Sequence, residues 1–449
     1  MTFFTYNLGC KVNSYECEAI SSILLQKGYI LDAKSPDIII INTCSVTHVA
    51  DRKSRQHIRK YRTLFPNAII VAMGCYVQGN FNYVSKECGA DIILGTSRRN
   101  EIPTLINEFL KTKKQIIAID ENPRKFDKFE ELGITLCHEN VRAYLKIQDG
   151  CDNFCSYCIV PYRRGKSRSR DFNTIIEEAR SLIAKGYKEI IISGIHIGAY
   201  GKDIGHSFSE LIEALLNIEG DFRIRISSIE ESEIDDKLIE LAMTNPKLAK
   251  HFHIPLQSGS DTILKLMKRK YDCEEYKNTC LKLRKYIPDF CIAADVIVGF
   301  PGETELEFEQ TKNLCNECNF AWIHAFPFSP RPGTAAESMK PQVPERIKDE
   351  RVRWLTDKAI EGKLKYIDYW KNKTLSAVVE NPRSERLQNS SSSKLKQFKL
   401  HCVTDNFIHV EFISDKLIES GSRINIQITD TLEDSIRNGK ETEASGKLF

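Results

Sequence analysis

No apolar stretch of this 449-residue sequence approaches the roughly 20 residues that a membrane-crossing helix needs. Surplus charge is missing too. The 64 Lys and Arg stand against 61 Asp and Glu, a net of +3. That excludes nucleic-acid binding through bulk charge, so any basic site must be local. The opening residues, Met1-Thr2-Phe3-Phe4-Thr5-Tyr6, lack the basic start of a signal peptide. A cytoplasmic protein with no membrane partner is expected. The ten histidines form no His-Glu-x-x-His arrangement, which leaves hydrolytic zinc chemistry unsupported. Apolar residues are not scarce: 41% hydrophobic against 28% charged excludes wholesale disorder.

Cysteine is what the sequence has in quantity. There are 15. An odd count in a long chain excludes a small disulfide scaffold, so clustered cysteines here mean metal, redox chemistry or burial. The length allows about three domains at roughly 150 residues each.

Three segments near the N-terminus repeat one arrangement. Phe3 to Leu8 precedes Gly9-Cys10, Ile38 to Ile41 precedes Asn42-Thr43-Cys44, and Ala68 to Met73 precedes Gly74-Cys75. Each is a short apolar run, readable as a buried strand, that ends at a cysteine. The cysteines are 34 and 31 residues apart, about one βα unit. Helical patterns at Ser14 to Lys27 and Thr47 to Leu64 fill the gaps, and Ala90 to Leu94 reads as a fourth strand. The expectation is a parallel α/β domain over residues 1–115. Its strand C-termini share one edge, where such sheets bind ligands, so topology would gather Cys10, Cys44 and Cys75 there.

Residues 116–140 are charged and weakly periodic and read as a linker. Over 141–370 six strand-like runs alternate with helical patterns: Ala143 to Gln148, Lys188 to Ser193, Phe222 to Ser228, His251 to Pro255, Cys291 to Val298 and Ala321 to Phe326. This predicts a second parallel α/β domain, a partial (β/α)6 barrel closed by a long helix from Val343 to Lys373. Short strands at Leu375 to Val379, Phe398 to Val403, Phe407 to Phe412 and Arg423 to Ile428 then predict a small β-barrel over 372–438. Ser390 to Ser393 reads as a low-complexity loop within it. The polar residues 439–449 read as a frayed tail.

The sharpest local signal is Cys151-Asp152-Asn153-Phe154-Cys155-Ser156-Tyr157-Cys158. Composition alone would give roughly 0.02 such triples. A C-x3-C-x2-C loop lets three thiolates converge on one cluster, and four-iron clusters normally take four cysteines. Three leave one iron open to a chelating molecule, as a catalytic metal site keeps an open position. Three buried core cysteines fit poorly beside Asp152, Asn153 and Ser156. Zinc would want a fourth ligand, and Cys137 and His138 precede the strand.

This motif after the first strand of a partial barrel resembles the radical S-adenosylmethionine enzymes. With a three-cysteine domain before it and a small barrel after it, the whole chain resembles the methylthiotransferases. The matching stretches are Asn42-Thr43-Cys44, Met73-Gly74-Cys75, Ile254-Pro255-Leu256-Gln257-Ser258-Gly259-Ser260, Asp295 to Thr304, and Ser329-Pro330-Arg331-Pro332-Gly333-Thr334. The resemblance implies two 4Fe-4S clusters, held by Cys151, Cys155 and Cys158 and by Cys10, Cys44 and Cys75. It implies S-adenosylmethionine on the open iron of the first, cleaved to give a 5′-deoxyadenosyl radical. The second carries the sulfur to be inserted, and the final barrel is an RNA-gripping TRAM domain. Tyr157 would lie near the adenine, Ser193 and Gly194 near the amino group, and Ser228, Glu230 and Gln257 near the ribose. Tyr157 equally suits ordinary packing, and Gly194 a simple turn.

Branches of the family differ after the first cysteine. Cys10-Lys11-Val12-Asn13, with Cys44-Ser45-Val46-Thr47, resembles the branch acting on threonylcarbamoyladenosine beside the tRNA anticodon. The isopentenyladenosine branch usually reads Gly-Cys-Gln-Met-Asn, and the ribosomal-protein branch Gly-Cys-Pro-Lys-Asn. The implied partners are tRNA, an electron donor and a sulfur donor. Arg52, Arg55, Arg59 and Arg62 form one stripe on the expected helix after Cys44. They could bind phosphates or the threonylcarbamoyl carboxylate, or simply face solvent. Arg163, Arg164, Lys166, Arg168 and Arg170 read as an RNA path or as partners of acidic groups. Cys315 and Cys318 lie in a helical pattern and are expected to pack. Cys88, Cys137, Cys273, Cys280, Cys291 and Cys402 are expected to be structural as well. The rival readings are the same chemistry on isopentenyladenosine tRNA or a ribosomal protein, a non-catalytic RNA-binding iron–sulfur carrier, and a zinc protein.

Overall fold

The structure is a computed structural model that describes residues 1–133, 141–380 and 397–449. Cys137, His138 and Ser390 to Ser393 lie outside the described residues, as does part of the expected linker.

The first domain runs β1 (Thr2–Asn7), α1 (Lys11–Gln26), β2 (Ile30–Leu31), β3 (Ile38–Thr43), α2 (His48–Leu64), β4 (Ile69–Gly74), α3 (Cys75–Glu87), β5 (Ile92–Leu94), α4 (Ile102–Thr112) and β6 (Ile116–Ala118). All six strands are parallel, in the order β2-β1-β3-β4-β5-β6. The run of four isoleucines in β3 serves both faces. Ile38 and Ile40 join Ile20, Leu24 and Ile106 on one side. Ile39 and Ile41 join Ile58, Tyr76 and Val84 on the other. That alternation is why the strand is apolar throughout. Strand β6 lies in this sheet, so the first domain extends past the expected boundary at residue 115.

The second domain begins with β7 (Ala143–Lys146), β8 (Gln148–Asp149), α5 (Val160–Arg164), β9 (Arg168–Ser169) and α6 (Phe172–Ala184). It continues with β10 (Glu189–Ser193), α7 (Phe208–Leu216), β11 (Arg223–Ile226), α8 (Asp236–Thr244), β12 (His251–His253), α9 (Asp261–Leu266), α10 (Cys273–Tyr286), β13 (Cys291–Val298), α11 (Glu305–Cys318), β14 (Trp322–Pro327), α12 (Ala335–Ser338) and α13 (Glu345–Trp370). Strands β7, β10 and β11 form one parallel sheet and β12, β13 and β14 another. The bridges Ile224–Leu248 and Ser228–His253 join them in chain order. The result is the expected six-stranded partial barrel. Ile292, Ala294, Val296, Val298 and Ile323 turn outward into the helical layer. Alternation therefore points Asp295, His324 and Phe326 into the lumen.

The last domain is a closed barrel of β15 (Thr374–Val379), β16 (Phe398–Thr404), β17 (His409–Ser414), β18 (Arg423–Thr431) and β19 (Ala444–Leu448), with α14 (Glu433–Arg437) before the final strand. Here the expected frayed tail is corrected. Strand β19 pairs antiparallel with β18 and parallel with β17, and closes the barrel. Its sequence, Ala-Ser-Gly-Lys-Leu, is polar because only Ala444 is fully buried. The hydrogen-bond ladder, not hydrophobicity, holds the strand. This barrel caps the N-terminal ends of the central strands. Arg223 donates to the carbonyls of Ser376 (3.2 Å) and Val403 (2.8 Å), and Arg225 to those of Thr404 (2.9 Å) and Asp405 (3.1 Å). Both guanidiniums also engage Glu189.

Among the described residues, no helix is long and apolar enough to cross a membrane.

Candidate active site

The first cysteine triad is assembled by the sheet. Strands β1, β3 and β4 are neighbours, with Asn7 opposite Asn42 and Thr43 opposite Gly74. Cys10 caps the start of α1, Cys44 follows β3, and Cys75 opens α3. Asn13 and Asn42 knit this edge together. The Asn13 amide donates to Asn42 Oδ1 (3.2 Å) and to the Thr43 carbonyl (3.1 Å). Ser54 holds both backbone groups of Cys44. Gly74 has φ +99, and a Cβ there would lie 2.4 Å from Asn42 Oδ1 and 2.6 Å from the Thr43 carbonyl. Only glycine lets the chain turn from β4 into Cys75.

These thiols influence one another. Burial first, then the neighbouring Cys75, pushes Cys44 up to about 12. Burial also raises Cys75, against the pull of the Arg164 guanidinium. Left alone they hold their protons. A cationic iron–sulfur body would have to displace those protons on binding.

The second triad belongs to one loop. Gly150, at φ +73, brings the chain so close to residue 166 that a Cβ would stand 1.8 Å from the Lys166 carbonyl oxygen. The Cys151 amide donates to Gly165 (3.0 Å) and the Cys158 amide to Cys155 (2.9 Å). Ser156 anchors the middle, its amide on the Met267 carbonyl (3.0 Å) and its hydroxyl on the Leu266 carbonyl (2.7 Å). Burial raises Cys155 and pushes Cys158 up to about 12. Two basic side chains meet this loop. His196 Nδ1 is 3.9 Å from Cys151 Sγ, while its Nε2 is 2.7 Å from Glu233. Burial works against the imidazolium, but the Cys151 and Glu233 contacts outweigh it and carry His196 to about 10. Arg269 donates to Cys155 Sγ (3.4 Å) and is ion-paired with Glu230.

Helix α5 joins the triads. It begins two residues after Cys158 and ends at Arg164. The Arg164 Nε donates to Cys75 Sγ at 3.2 Å. Six residues of near-helical rise and one arginine side chain bound the separation at about 20 Å or less. Arg164 also bonds Glu16 (2.8 Å), Asp149 (3.1 Å) and Asn13 (3.1 Å). Lys146 reaches the same Glu16 (3.0 Å) and Asp149 (2.7 Å), and Arg99 pairs with Glu16 (3.0 Å). All five charged groups are buried. Burial alone would raise the two carboxylates, but the surrounding cations hold both well below their usual range. Arg331 adds a second link, from the Ser329–Thr334 stretch to Ser45 (3.2 Å) and Asp51.

Other polar residues stand at the C-terminal ends of the barrel strands. Ser193 Oγ, buried at the C-terminal end of β10, has no hydrogen-bond partner among the described residues. At Gly194 a Cβ would crowd Ile197 (2.9 Å) and the Gln148 carbonyl (3.1 Å). Gln257 stands at φ +66 beside β13. Ser228 is exposed, and Glu230 is half-buried on Arg269. An open three-thiol loop after β7, with an unpartnered buried hydroxyl at the end of the neighbouring strand β10, fits a cluster with a small polar ligand. Tyr157 packs against Ile263, Met267, Phe300 and Phe328, so its ring serves a hydrophobic cluster at the same time. Among the described residues, no three Cys, His, Asp or Glu are gathered as ligands of one metal ion would be.

The basic residues divide. Arg164 and Arg168 do not form an RNA path. Both are buried, and Arg168 donates to the carbonyls of Arg164 (2.9 Å) and Lys166 (2.7 Å). Arg170 is buried on Glu131 (2.8 Å) and Glu178 (2.5 Å). Arg62 is spent on Asp91 and on the carbonyls of Gly89, Pro66 and Ala68. Arg59 bonds Tyr83 and the Glu87 carbonyl, and Arg55 bonds Tyr76. Arg163 lies over Gly79. Arg52 and Lys166 are exposed, Lys166 beside Asp127. Sequence reading missed Glu16, Lys146, Asp149, His196, Glu233 and Arg269. The available signal was charge within otherwise buried elements. Cys280, Cys315 and Cys318 are buried in the central core, Cys88 and Cys402 in the cores of the flanking domains; Cys291 is buried on β13, and Cys273 is half-buried against the central core.

The Radical SAM superfamily model matches residues 145–315, and the model described as "Uncharacterized protein family UPF0004" matches residues 2–95. The chain is 41% identical to the threonylcarbamoyladenosine tRNA methylthiotransferase MtaB of Bacillus subtilis, over 85% of each chain. It is 37% identical to that of Aquifex aeolicus, covering 83% of this chain and 91% of the relative. A tRNA-2-methylthio-N(6)-dimethylallyladenosine synthase of Clostridium botulinum is 35% identical over 94% of this chain and 95% of its own. Among solved structures, the radical S-adenosylmethionine methyltransferase TsrM of Kitasatospora setae aligns with a TM-score of 0.56 at 12% identity, covering 75% of this chain and 77% of that one. That likeness speaks to fold alone. These sequence relatives are matched over 83–94% of this chain, and the chain belongs to the radical S-adenosylmethionine methylthiotransferase family.

Proposed function

We propose that this protein adds a methylthio group to carbon 2 of threonylcarbamoyladenosine in tRNA, beside the anticodon. The observation that carries the reading is the 3.2 Å contact from Arg164 to Cys75 Sγ. It supports reading the two triads as parts of one centre. Relatives so named at 37–41% identity support the substrate. Cys151, Cys155 and Cys158 would hold the cluster that binds S-adenosylmethionine, and Cys10, Cys44 and Cys75 the other. When bound, these groups supply radical activation of the adenine C–H bond and the methylated sulfur.

The chain supplies placement. Ser193 and Gly194 would meet the methionine end of the cofactor, and Ser228, Glu230 and Gln257 would be its ribose partners. Arg269 and His196 offset thiolate charge at Cys155 and Cys151, and Arg164 does so at Cys75. The Glu16–Arg164–Asp149 group clamps the first domain onto the second and so fixes the distance between clusters. The small barrel and the exposed Arg52 and Lys166 meet tRNA. An electron donor and a sulfur donor complete the partners, and the setting is the cytoplasm.

The test is nucleoside mass spectrometry of tRNA from cells with and without the gene. Loss of the 2-methylthio form of threonylcarbamoyladenosine, with its precursor accumulating, is the expected result. Loss of the 2-methylthio form of dimethylallyladenosine instead would overturn the threonylcarbamoyladenosine reading.

A further inference from the structure

Helix α9 runs out into Lys265-Leu266-Met267-Lys268-Arg269-Lys270, a turn with four cations and no acid. Its inward side holds the loop of the second triad. The Leu266 and Met267 carbonyls accept from Ser156 at 2.7 and 3.0 Å, and Arg269 donates to Cys155 Sγ at 3.4 Å. Met267 is buried beside Tyr157. The outward side is Lys265, Lys268 and Lys270, all exposed, with Leu266 40% exposed among them. Lys268 stands at φ +60, in the left-handed position after a helix that glycine fills without strain. From there the Arg269 amide returns to the Leu264 carbonyl (2.9 Å). A lysine kept in such a strained position points to a use for its side chain.

Among the described residues no carboxylate pairs with these three ammonium groups. The acids around the turn are committed elsewhere: Glu230 to Arg269 and Glu274 to Lys277 (3.0 Å). Asp261 accepts from the Cys273 amide (2.8 Å), and Asp272 and Glu275 cap α10. Leu266 and three uncommitted cations make an apolar centre with a basic rim, which suits transient docking of an acidic macromolecule. Two such macromolecules bear on this enzyme, tRNA and a carrier of electrons. Among the described residues, the hydrogen bonds and ion pairs of the turn run to the loop of the second triad and to the central domain, none to the first domain. The substrate adenosine must reach the space between the triads, where α5 runs. Reductive cleavage needs an electron at the second triad alone, and this turn is bonded to that triad's loop. The placement favours the carrier.

We propose that Lys265, Lys268 and Lys270, set around Leu266, form the docking surface for an acidic one-electron carrier protein that reduces the cluster held by Cys151, Cys155 and Cys158. In that step the carrier loses one electron and the cluster gains it; no bond forms or breaks. The proposal rests on the function given above and names where the electron donor of that reading binds.

The experiment uses the two-cluster enzyme with two reductants: a reduced flavodoxin as the acidic carrier, and dithionite, which is small and needs no docking. Flavodoxin affinity is read by calorimetry over a range of salt. Formation of 5′-deoxyadenosine with each reductant and affinity for tRNA are read beside it. The triple variant Lys265→Glu, Lys268→Glu, Lys270→Glu should lose at least about tenfold in flavodoxin affinity and flavodoxin-driven cleavage at low salt, with a flatter salt dependence. Its dithionite-driven cleavage and tRNA affinity should match wild type. Lys268→Gly, which relieves the backbone, should melt no lower than wild type and still lose about two- to fivefold in flavodoxin affinity. A triple variant that binds flavodoxin as wild type does overturns the proposal. So does one that loses dithionite-driven cleavage equally, which would mean that the turn only supports the loop. A fall in tRNA affinity with flavodoxin binding intact gives the surface to RNA and overturns it as well. A wild-type enzyme that cleaves with dithionite but neither binds flavodoxin nor is reduced by it overturns the docking site and leaves the parent function standing. One that forms no 5′-deoxyadenosine with dithionite defeats the parent function and the proposal with it.

Discussion

The two cysteine triads are built by opposite means. Cys151, Cys155 and Cys158 occupy eight consecutive residues, and their geometry is written into one loop, fixed by Gly150, Ser156 and the turn at Cys158. Cys10, Cys44 and Cys75 span 66 residues and come to one sheet edge only because three parallel strands end there. The first triad needs correct local chemistry. The second needs the whole sheet in register, with Asn13 and Asn42 tying its edge. A local loop tolerates distant change, whereas a site made by topology inherits every defect of its domain.

That contrast is broken most severely at the cysteines. Cys155→Ala should abolish reductive cleavage of S-adenosylmethionine, a loss of at least about a thousandfold, while the other cluster stays in place. Cys44→Ala should leave that cleavage measurable but stop methylthio transfer, with about four irons fewer per chain. Iron and sulfide analysis, 5′-deoxyadenosine formation and product mass spectrometry read the three quantities separately. If both variants formed product at the wild-type rate, neither triad would be a working cluster site.

Legibility in the sequence followed the same division. The loop motif could be read directly, because its spacing is improbable by composition. The sheet-edge triad was legible only through a repeat, an apolar run followed by a cysteine, which parallel topology converts into proximity. Strand positions in the partial barrel were readable for the same reason, since β-branched runs alternate with helical patterns. What escaped was polar and buried. Strand β19 looked like a tail, because a barrel strand held by its ladder needs little hydrophobicity. The basic cluster of Arg164 and Arg168 suits an RNA path as well as acidic partners, because a sequence does not say that Glu16 and Asp149, 148 and 15 residues from Arg164, will meet that cation. Long-range charge pairing leaves no periodic trace.

The buried charges give the next, smaller effect. Glu16→Gln leaves Arg99, Lys146 and Arg164 with only part of their counter-charge. Removing one member of a buried network costs about 3–5 kcal/mol. Hydrogen exchange at α1 and α5 should report easier opening by that order at pH 7. The pH dependence has a definite sign. In the folded chain Glu16 and Asp149 are held below their ordinary values of 4.5 and 3.8. Their stabilisation is therefore present above about pH 4.5 and is lost as pH falls toward the folded values. Wild type should weaken steadily below pH 4.5, and the gap to Glu16→Gln should narrow over the same range. A gap that stayed constant down to pH 3 would mean that the network holds Glu16 through shape and not charge.

The smallest effect separates two arginines of one helix face. Arg52 and Arg62 both lie on the stripe of α2, but Arg62 is spent on Asp91 and three carbonyls while Arg52 is exposed. Arg62→Ala removes the clasp between α2 and the start of β5. It should destabilise the first domain by about 1–3 kcal/mol, seen as loss of the auxiliary cluster on mild heating. Arg52→Ala should leave that stability within about 0.5 kcal/mol. Its effect should fall on tRNA instead, weakening affinity evenly across sequences and lowering the salt slope of binding by about 1, the signature of one phosphate contact. A titration of tRNA affinity against salt for the two variants decides it. Equal slopes in wild type and Arg52→Ala would take α2 out of the RNA interface and leave Lys166 and the small barrel to carry it.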